Sequence, residues 1–187
     1  MKEIRIIGCD PAIRNFGFAI AMLNPETMEF RIEDLVLVKT EDEAGKQVRK
    51  NSDDIRRAKM LYDGMAAICK GASFMIAEVP VGSQSARAMA SYGICCGVLA
   101  ACPVPLVQVN PTEVKLAAVG SKHAAKEEMI EWATGKFPDA PWRMRKSKGV
   151  MVPTNDNEHL ADAVAAIHAG LQTSQVRTAL SMWKAAA

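Results

Sequence analysis

The chain has 187 residues and a mass of 20.2 kDa, which suits a single domain with a core large enough to need no disulfide staples. Hydrophobic residues at 49% against 24% charged exclude a disordered chain, and a formal charge of +2 excludes polyanion binding driven by overall charge, leaving it to local basic clusters. The start carries a basic residue but no long apolar run, and no window of about 18–20 uncharged apolar residues would span a bilayer, so the chain reads as cytoplasmic, with no membrane partner.

Residues 3 to 38 read as three strands: an apolar run to Cys9, a second from Phe16 to Leu23 and a third from about Met28 to Val38, with Asn24-Pro25-Glu26-Thr27 as the second turn. A polar stretch leads to Ser52-Asp53-Asp54, a plausible cap for a helix to about Lys70 whose apolar positions are Ile55, Met60, Met65 and Ile68. Ser73 to Glu78 is a short buried strand broken by Pro80, and a helix follows from Ser83 or Ser85 to about Ala101. That helix carries Gly93 and Gly97 four apart, a spacing that admits a close neighbour, either a sheet or a second subunit.

Pro103 to Val109 gives a further strand, Asn110-Pro111-Thr112 opens a short helix through Ala118, and another helix spans about His123 to Thr134. Residues 136–156 are rich in Pro, Gly and basic residues without periodicity and read as a long basic loop. The segment 157–172 is helical, with Leu160, Val164, Ile167 and Leu171 on one seam, and a terminal helix or a frayed tail follows from Thr173. Strands first, then strands alternating with helices, predict an α/β domain with a mixed sheet spanning 1–187. The cysteines, Cys9, Cys69, Cys95, Cys96 and Cys102, are odd in number and lack zinc-site spacing, so they read as small buried side chains in a reducing compartment.

The chemistry begins at Asp10, a carboxylate leaving an apolar strand into a turn, where it is costly unless something binds it. Glu78 occupies the same position on a later strand, and parallel neighbouring strands would bring both exits to one sheet edge. On the helix from residue 157, Glu158, His159 and Asp162 lie within about a third of the circumference, away from the apolar seam. Clustered carboxylates repel one another unless divalent cations sit between them, and Mg²⁺ or Mn²⁺ suits oxygen ligands. Two such ions about 4 Å apart activate water and stabilise the leaving oxygen in phosphodiester hydrolysis, the chemistry of a metal-dependent nuclease.

Gly8-Cys9-Asp10-Pro11-Ala12-Ile13-Arg14-Asn15-Phe16-Gly17-Phe18-Ala19-Ile20 resembles the opening GxDPGxxxxGxxxI of RuvC-type Holliday-junction resolvases, members of the RNase H-like superfamily. Ile76-Ala77-Glu78, the helix from Ser91-Tyr92-Gly93 to Ala101, the segment Asn110 to Lys126 and Ala161-Asp162-Ala163-Val164-Ala165 are similar to later family segments, in the same order. The resemblance implies an RNase H-like fold with a mixed five-stranded sheet flanked by helices. It implies a two-metal site of Asp10, Glu78, His159 and Asp162, with Asp10 bridging both ions and Glu158 the rival fourth ligand, and a basic pair, Lys115 and Lys126, on the scissile phosphate.

The expected activity is cleavage of four-way junction DNA by a homodimer. Four departures stand out: Ala12 replaces the usual turn glycine, His159 stands where many members have Asp, Val79-Pro80-Val81-Gly82 lacks the aromatic residue many relatives place near the junction point, and the loop from Lys136 to Asp156 is longer than the family usually has. Two basic clusters, Lys46 to Lys50 with Arg56, Arg57 and Lys59, and Arg143 to Lys148, are candidate duplex-arm contacts; Ser83, Gln84, Ser85 and Arg87 are candidate phosphate contacts. The alternatives are a nuclease for flaps or other branched nucleic acid, a non-catalytic junction-binding protein, and an actin-like ATPase, which starts with a similar turn but needs a second phosphate loop and usually a longer chain.

Overall fold

In the computed structural model, which describes residues 2–43, 49–79, 82 and 85–186, five strands form one mixed sheet in the order β3-β2-β1-β4-β5. β1 (Ile4–Asp10), β2 (Asn15–Leu23) and β3 (Phe30–Lys39) run as an antiparallel meander, β4 (Phe74–Glu78) pairs parallel with β1, and β5 (Leu106–Val109) pairs parallel with β4. Alternation along the strands feeds two cores, because successive side chains leave a strand on opposite faces. Ile4 and Ile6 pack with α5 (Asn157–Gly170), while Ile7 and Cys9 pack with Leu61 and Met65 of α1 (Lys50–Ile68) and Val98 and Leu99 of α2 (Ala86–Ala100). The first face also receives Val114 of α3 (Pro111–Val119), Met129 of α4 (Lys126–Lys136) and Val176 of α6 (Ser174–Ala186).

This is the flanked five-stranded sheet of an RNase H-like fold, with the Leu160, Val164, Ile167 and Leu171 seam of α5 buried as expected. The first turn closes with the Asn15 N–H donating to the Ala12 carbonyl at 3.2 Å. Ala12 keeps an ordinary negative φ, so glycine is not required there. All five cysteines are free, and Cys9, Cys69 and Cys95 are buried. Among the described residues no helix is long and apolar enough to cross a membrane.

Three expectations need correction. The helix α1 begins at Lys50 with no side-chain cap at Arg49, so Ser52-Asp53-Asp54 is not its start. Its buried face is Asp53, Arg57, Leu61 and Met65, whereas Ile55 is 71% exposed and Met60 40%. The inversion has an ionic cause: Arg57 donates to Thr40 Oγ1 at 2.9 Å and Asp42 Oδ1 at 2.8 Å, and Arg56 holds Asp53 at 2.6 Å. Partners on a distant strand end make burial of these charges tolerable, and hydropathy alone cannot show them.

The segment 136–156 is not a structureless loop. Ala140 is buried, the Trp142 indole N–H donates to the Phe137 carbonyl at 2.8 Å, and β6 (Met144–Ser147) pairs antiparallel with β7 (Val150–Pro153). The hairpin turns at Lys148 (φ 49°) and Gly149 (φ 87°), the paired positive-φ residues of a two-residue turn that matches strand twist. Lysine is an unusual first residue for such a turn, which hid the hairpin in the sequence. Third, α4 starts at Lys126 rather than near His123, because the Glu128 carboxylate accepts the Ala125 N–H at 2.7 Å and sets the helix entry there.

Candidate active site

The register of β1 against β4 pairs Cys9 with Ala77, so the next residue of each strand, Asp10 and Glu78, leaves the sheet side by side at one edge. Helix α5 brings the remaining groups over that edge, and two glycines determine how near it comes. A Cβ on Gly8 would stand 2.1 Å from the Ala163 carbonyl oxygen, and one on Gly17 would stand 2.4 Å from the His159 carbonyl oxygen. Both strand positions therefore have to be glycine for the helix backbone to lie against the sheet. On the helix side Ala161, Ala163, Ala165 and Ala166 are buried and small, which permits the same approach.

This packing sets His159 against Asp10, with Nδ1 2.6 Å from Oδ2. Burial pulls the imidazole pKa down, but the bond to Asp10 and the charges of Asp10, Glu158 and Asp162 lift it above the ordinary value. Burial and the neighbouring Asp10 and Asp162 charges push Glu78 up to about 8, with Lys115 opposing. Asp162 is pushed up to about 7 by burial and by Asp10 and Glu158, with His159 and Lys115 opposing. Asp10, Glu78 and Asp162 therefore share one electrostatic site with Lys115 at its border.

The basic pair sits on the two helices that follow β5. Asn110 and Glu113 cap α3 reciprocally, at 3.0 and 2.8 Å, and fix the turn from which Lys115 extends to donate to the Ala124 carbonyl at 2.9 Å. Lys126, the first residue of α4, contacts Glu158 Oε1 at 2.6 Å, and that bond raises its pKa. Of the two candidate fourth ligands, His159 faces Asp10 while Glu158 is turned to Lys126. Among the described residues no three His, Cys, Asp or Glu side chains stand at mutual ligating distance as they are placed. The donor chemistry still fits a hard divalent cation: burial and then repulsion from neighbouring carboxylates push the Glu78 and Asp162 pKa values up, and a cation between these groups would relieve that repulsion.

Other expected contacts are not brought together. Arg57 is buried and Arg56 is engaged by Asp53 and the Glu41 carbonyl, so the Arg56/Arg57 cluster does not form an open basic face. Arg87 is gripped by Asp54 through two bonds of 2.7 Å, and Ser85 caps α2 by accepting the Ala88 N–H. Lys46, Ser83 and Gln84 lie outside the described residues. Sequence reasoning missed Asn157: wholly buried, its side chain accepts the Arg143 N–H at 3.0 Å and donates to the Arg143 carbonyl at 2.8 Å, tying the β6–β7 hairpin to the first turn of α5. Its only sequence signal is a polar residue beside the carboxylate and imidazole face.

No family model matches the chain. It is 28% identical over 129 residues to the crossover junction endodeoxyribonuclease RuvC of Prochlorococcus marinus, covering 67% of this chain and 79% of that one. It is 25% identical over 130 residues to the protein of the same name from a Synechococcus strain, covering 68% and 80%. The fold superposes on T. thermophilus RuvC in complex with a Holliday junction substrate with a TM-score of 0.65 at 20% identity, over 95% of this chain and 97% of that one. It also superposes on the yeast mitochondrial Holliday junction resolvase with a TM-score of 0.53 at 14% identity, over 96% and 86%. The chain is thus similar in sequence to RuvC crossover junction endodeoxyribonucleases and shares its fold with the T. thermophilus RuvC and yeast mitochondrial resolvase structures.

Proposed function

We propose that the protein is a structure-selective DNA endonuclease that hydrolyses phosphodiester bonds in four-way junctions as a homodimer. The observation that carries this reading is the meeting of Asp10, Glu78 and Asp162, from β1, β4 and α5, at one sheet edge of a RuvC-like fold. Asp10, Glu78, Asp162 and His159 would hold two Mg²⁺ or Mn²⁺ ions. Such ions supply charge neutralisation and water activation when bound. Lys115 and Lys126 border the carboxylates from the α3 and α4 side and are suited to bind the scissile phosphate, offsetting the charge that grows on it.

As the alternative to ligation, His159, protonated more readily than a free imidazole through its bond to Asp10, is suited to orient the attacking water or to give a proton to the departing 3′ oxygen. Glu158 holds Lys126 in place until a phosphate competes for it. For the homodimer, Gly93 and Gly97 of α2 are exposed, and a Cβ on either would meet nothing within 4 Å among the described residues, which leaves room for a partner helix. A twofold enzyme would present equivalent sites to two strands of a junction.

The test is cleavage of synthetic four-way, flap and linear duplex DNA in Mg²⁺, Mn²⁺ or EDTA, with Asp10→Asn as the control. The expected result is metal-dependent paired nicking of the junction, lost in Asp10→Asn. Junction binding without cleavage under either metal would make the protein a binding module instead, and preferred cutting of flaps would move the substrate to other branched DNA.

A further inference from the structure

The β6–β7 hairpin has no counterpart in the motifs shared with the resolvases, and no residue of its two strands is fully buried. Among the described residues it pairs with no other strand. A bare two-stranded ribbon of four-residue strands, about 13 Å long, is marginal in water by itself. This one is held at its root: Asn157 grips Arg143, the Thr154 N–H donates to the Arg143 carbonyl at 2.9 Å, and Asp156 joins Arg143 (3.2 Å) to Lys39 at the end of β3 (2.7 Å). The root therefore lies two residues from His159, on the helix that carries the site.

What the ribbon exposes is unusual for a free surface. Met144 is 43% exposed, Val150 64% and Met151 56%, interleaved with the exposed cations Arg145, Lys146 and Lys148. The register gives each face of the ribbon both kinds of group. Met144, Lys146 and Met151 share one face, and Arg145 and Val150 the other, since cross-strand partners and alternate residues lie on the same side. Apolar side chains flanked by cations on both faces of a thin projection complement a cleft whose walls are stacked bases edged by phosphates. A groove-reading ribbon needs only one such face.

We infer that the β6–β7 hairpin is a branch-point wedge. Met144, Val150 and Met151 lodge against bases unstacked where two duplex arms diverge, while Arg145, Lys146 and Lys148 bind the flanking phosphates. The inference rests on the junction-nuclease reading above. It supplies a wedge to a chain whose Val79 to Gly82 segment has no aromatic residue.

The experiment uses the full chain in EDTA, with a four-way junction carrying 2-aminopurine at the branch and a linear duplex of the same sequence. Two triple variants are compared with wild type: Met144→Ser/Val150→Ser/Met151→Ser, and Arg145→Ala/Lys146→Ala/Lys148→Ala. Wild type is expected to prefer the junction and to brighten the 2-aminopurine as it unstacks. The apolar triple should lose the brightening and at least about tenfold of the junction preference while keeping its duplex affinity. The charge triple should weaken both substrates and flatten the salt dependence of log K by about three, one for each lost phosphate contact.

An apolar triple that still brightens the branch and keeps the preference overturns the wedge. So does one that loses duplex affinity equally, which would make the hairpin a groove reader, and an unchanged salt slope in the charge triple overturns the phosphate contacts. If wild type itself binds the junction no better than duplex, the function proposed above fails before any variant is compared, and the wedge falls with it.

Discussion

Replacing Glu78 with glutamine should stabilise the metal-free protein at alkaline pH while abolishing cleavage. Glu78 has an ordinary pKa of 4.5 and is pushed up to about 8 in the fold, first by burial and then by Asp10 and Asp162. Between those values the folded carboxyl holds a proton that the unfolded chain has released. The native state then binds more protons than the unfolded one, and stability falls as pH rises by about 1.4 kcal/mol per pH unit. The contribution is fully present below the unfolded pKa and exhausted above the folded one.

The ceiling over that window is roughly 5 kcal/mol. Rotation of the half-buried side chain toward water, and reduced repulsion once Asp162 takes a proton, bring the expected gain to on the order of 2 kcal/mol. Glutamine keeps the shape and never ionises. In EDTA, urea melts of Glu78→Gln and wild type should therefore differ by about 2 kcal/mol at pH 8.5 and by little at pH 5. Divalent cation should stabilise wild type more than the variant, because it relieves a repulsion the variant lacks. An equal difference at both pH values, or a variant less stable than wild type at pH 8.5, would refute the account of a site kept under electrostatic strain.

Gly17→Ala should cost about 1–3 kcal/mol, because the His159 carbonyl at 2.4 Å is backbone and cannot rotate aside. The shift of α5 should also separate His159 from Asp10, visible as a changed His159 titration by NMR. Gly135→Ala, in α4 with open space at its Cβ, is the control and should stabilise by about 0.5–1 kcal/mol. Glu158→Gln should keep cleavage within about tenfold of wild type in single-turnover assays, whereas Lys126→Ala should lose about 10²-fold; a Glu158→Gln as inactive as Asp10→Asn would make Glu158 the fourth ligand. Asn157→Ala should leave the Arg143 N–H and carbonyl unpaired, costing about 1–3 kcal/mol and speeding amide exchange selectively across residues 143–153.

The sheet, the apolar seam of α5 and the cap of α3 were legible because each depends on local periodicity or on a short-range motif, such as Asn110 answered by Glu113. The burial of Arg57 was not, since Thr40 and Asp42 reach it from 17 and 15 residues away. The β6–β7 hairpin was hidden by a turn whose first positive-φ residue is a lysine.

By itself the sequence determined which groups could carry the chemistry: Asp10 and Glu78 at strand exits, Glu158, His159 and Asp162 on one helix face, and two lysines in the following segments. Only the tertiary structure decided their pairing. Hydropathy can place a side chain on a face of its own element, but it cannot specify distance or direction between elements. That the imidazole meets Asp10 while Glu158 meets Lys126 follows from how closely α5 lies on the sheet, which Gly8 and Gly17 permit and no local pattern encodes.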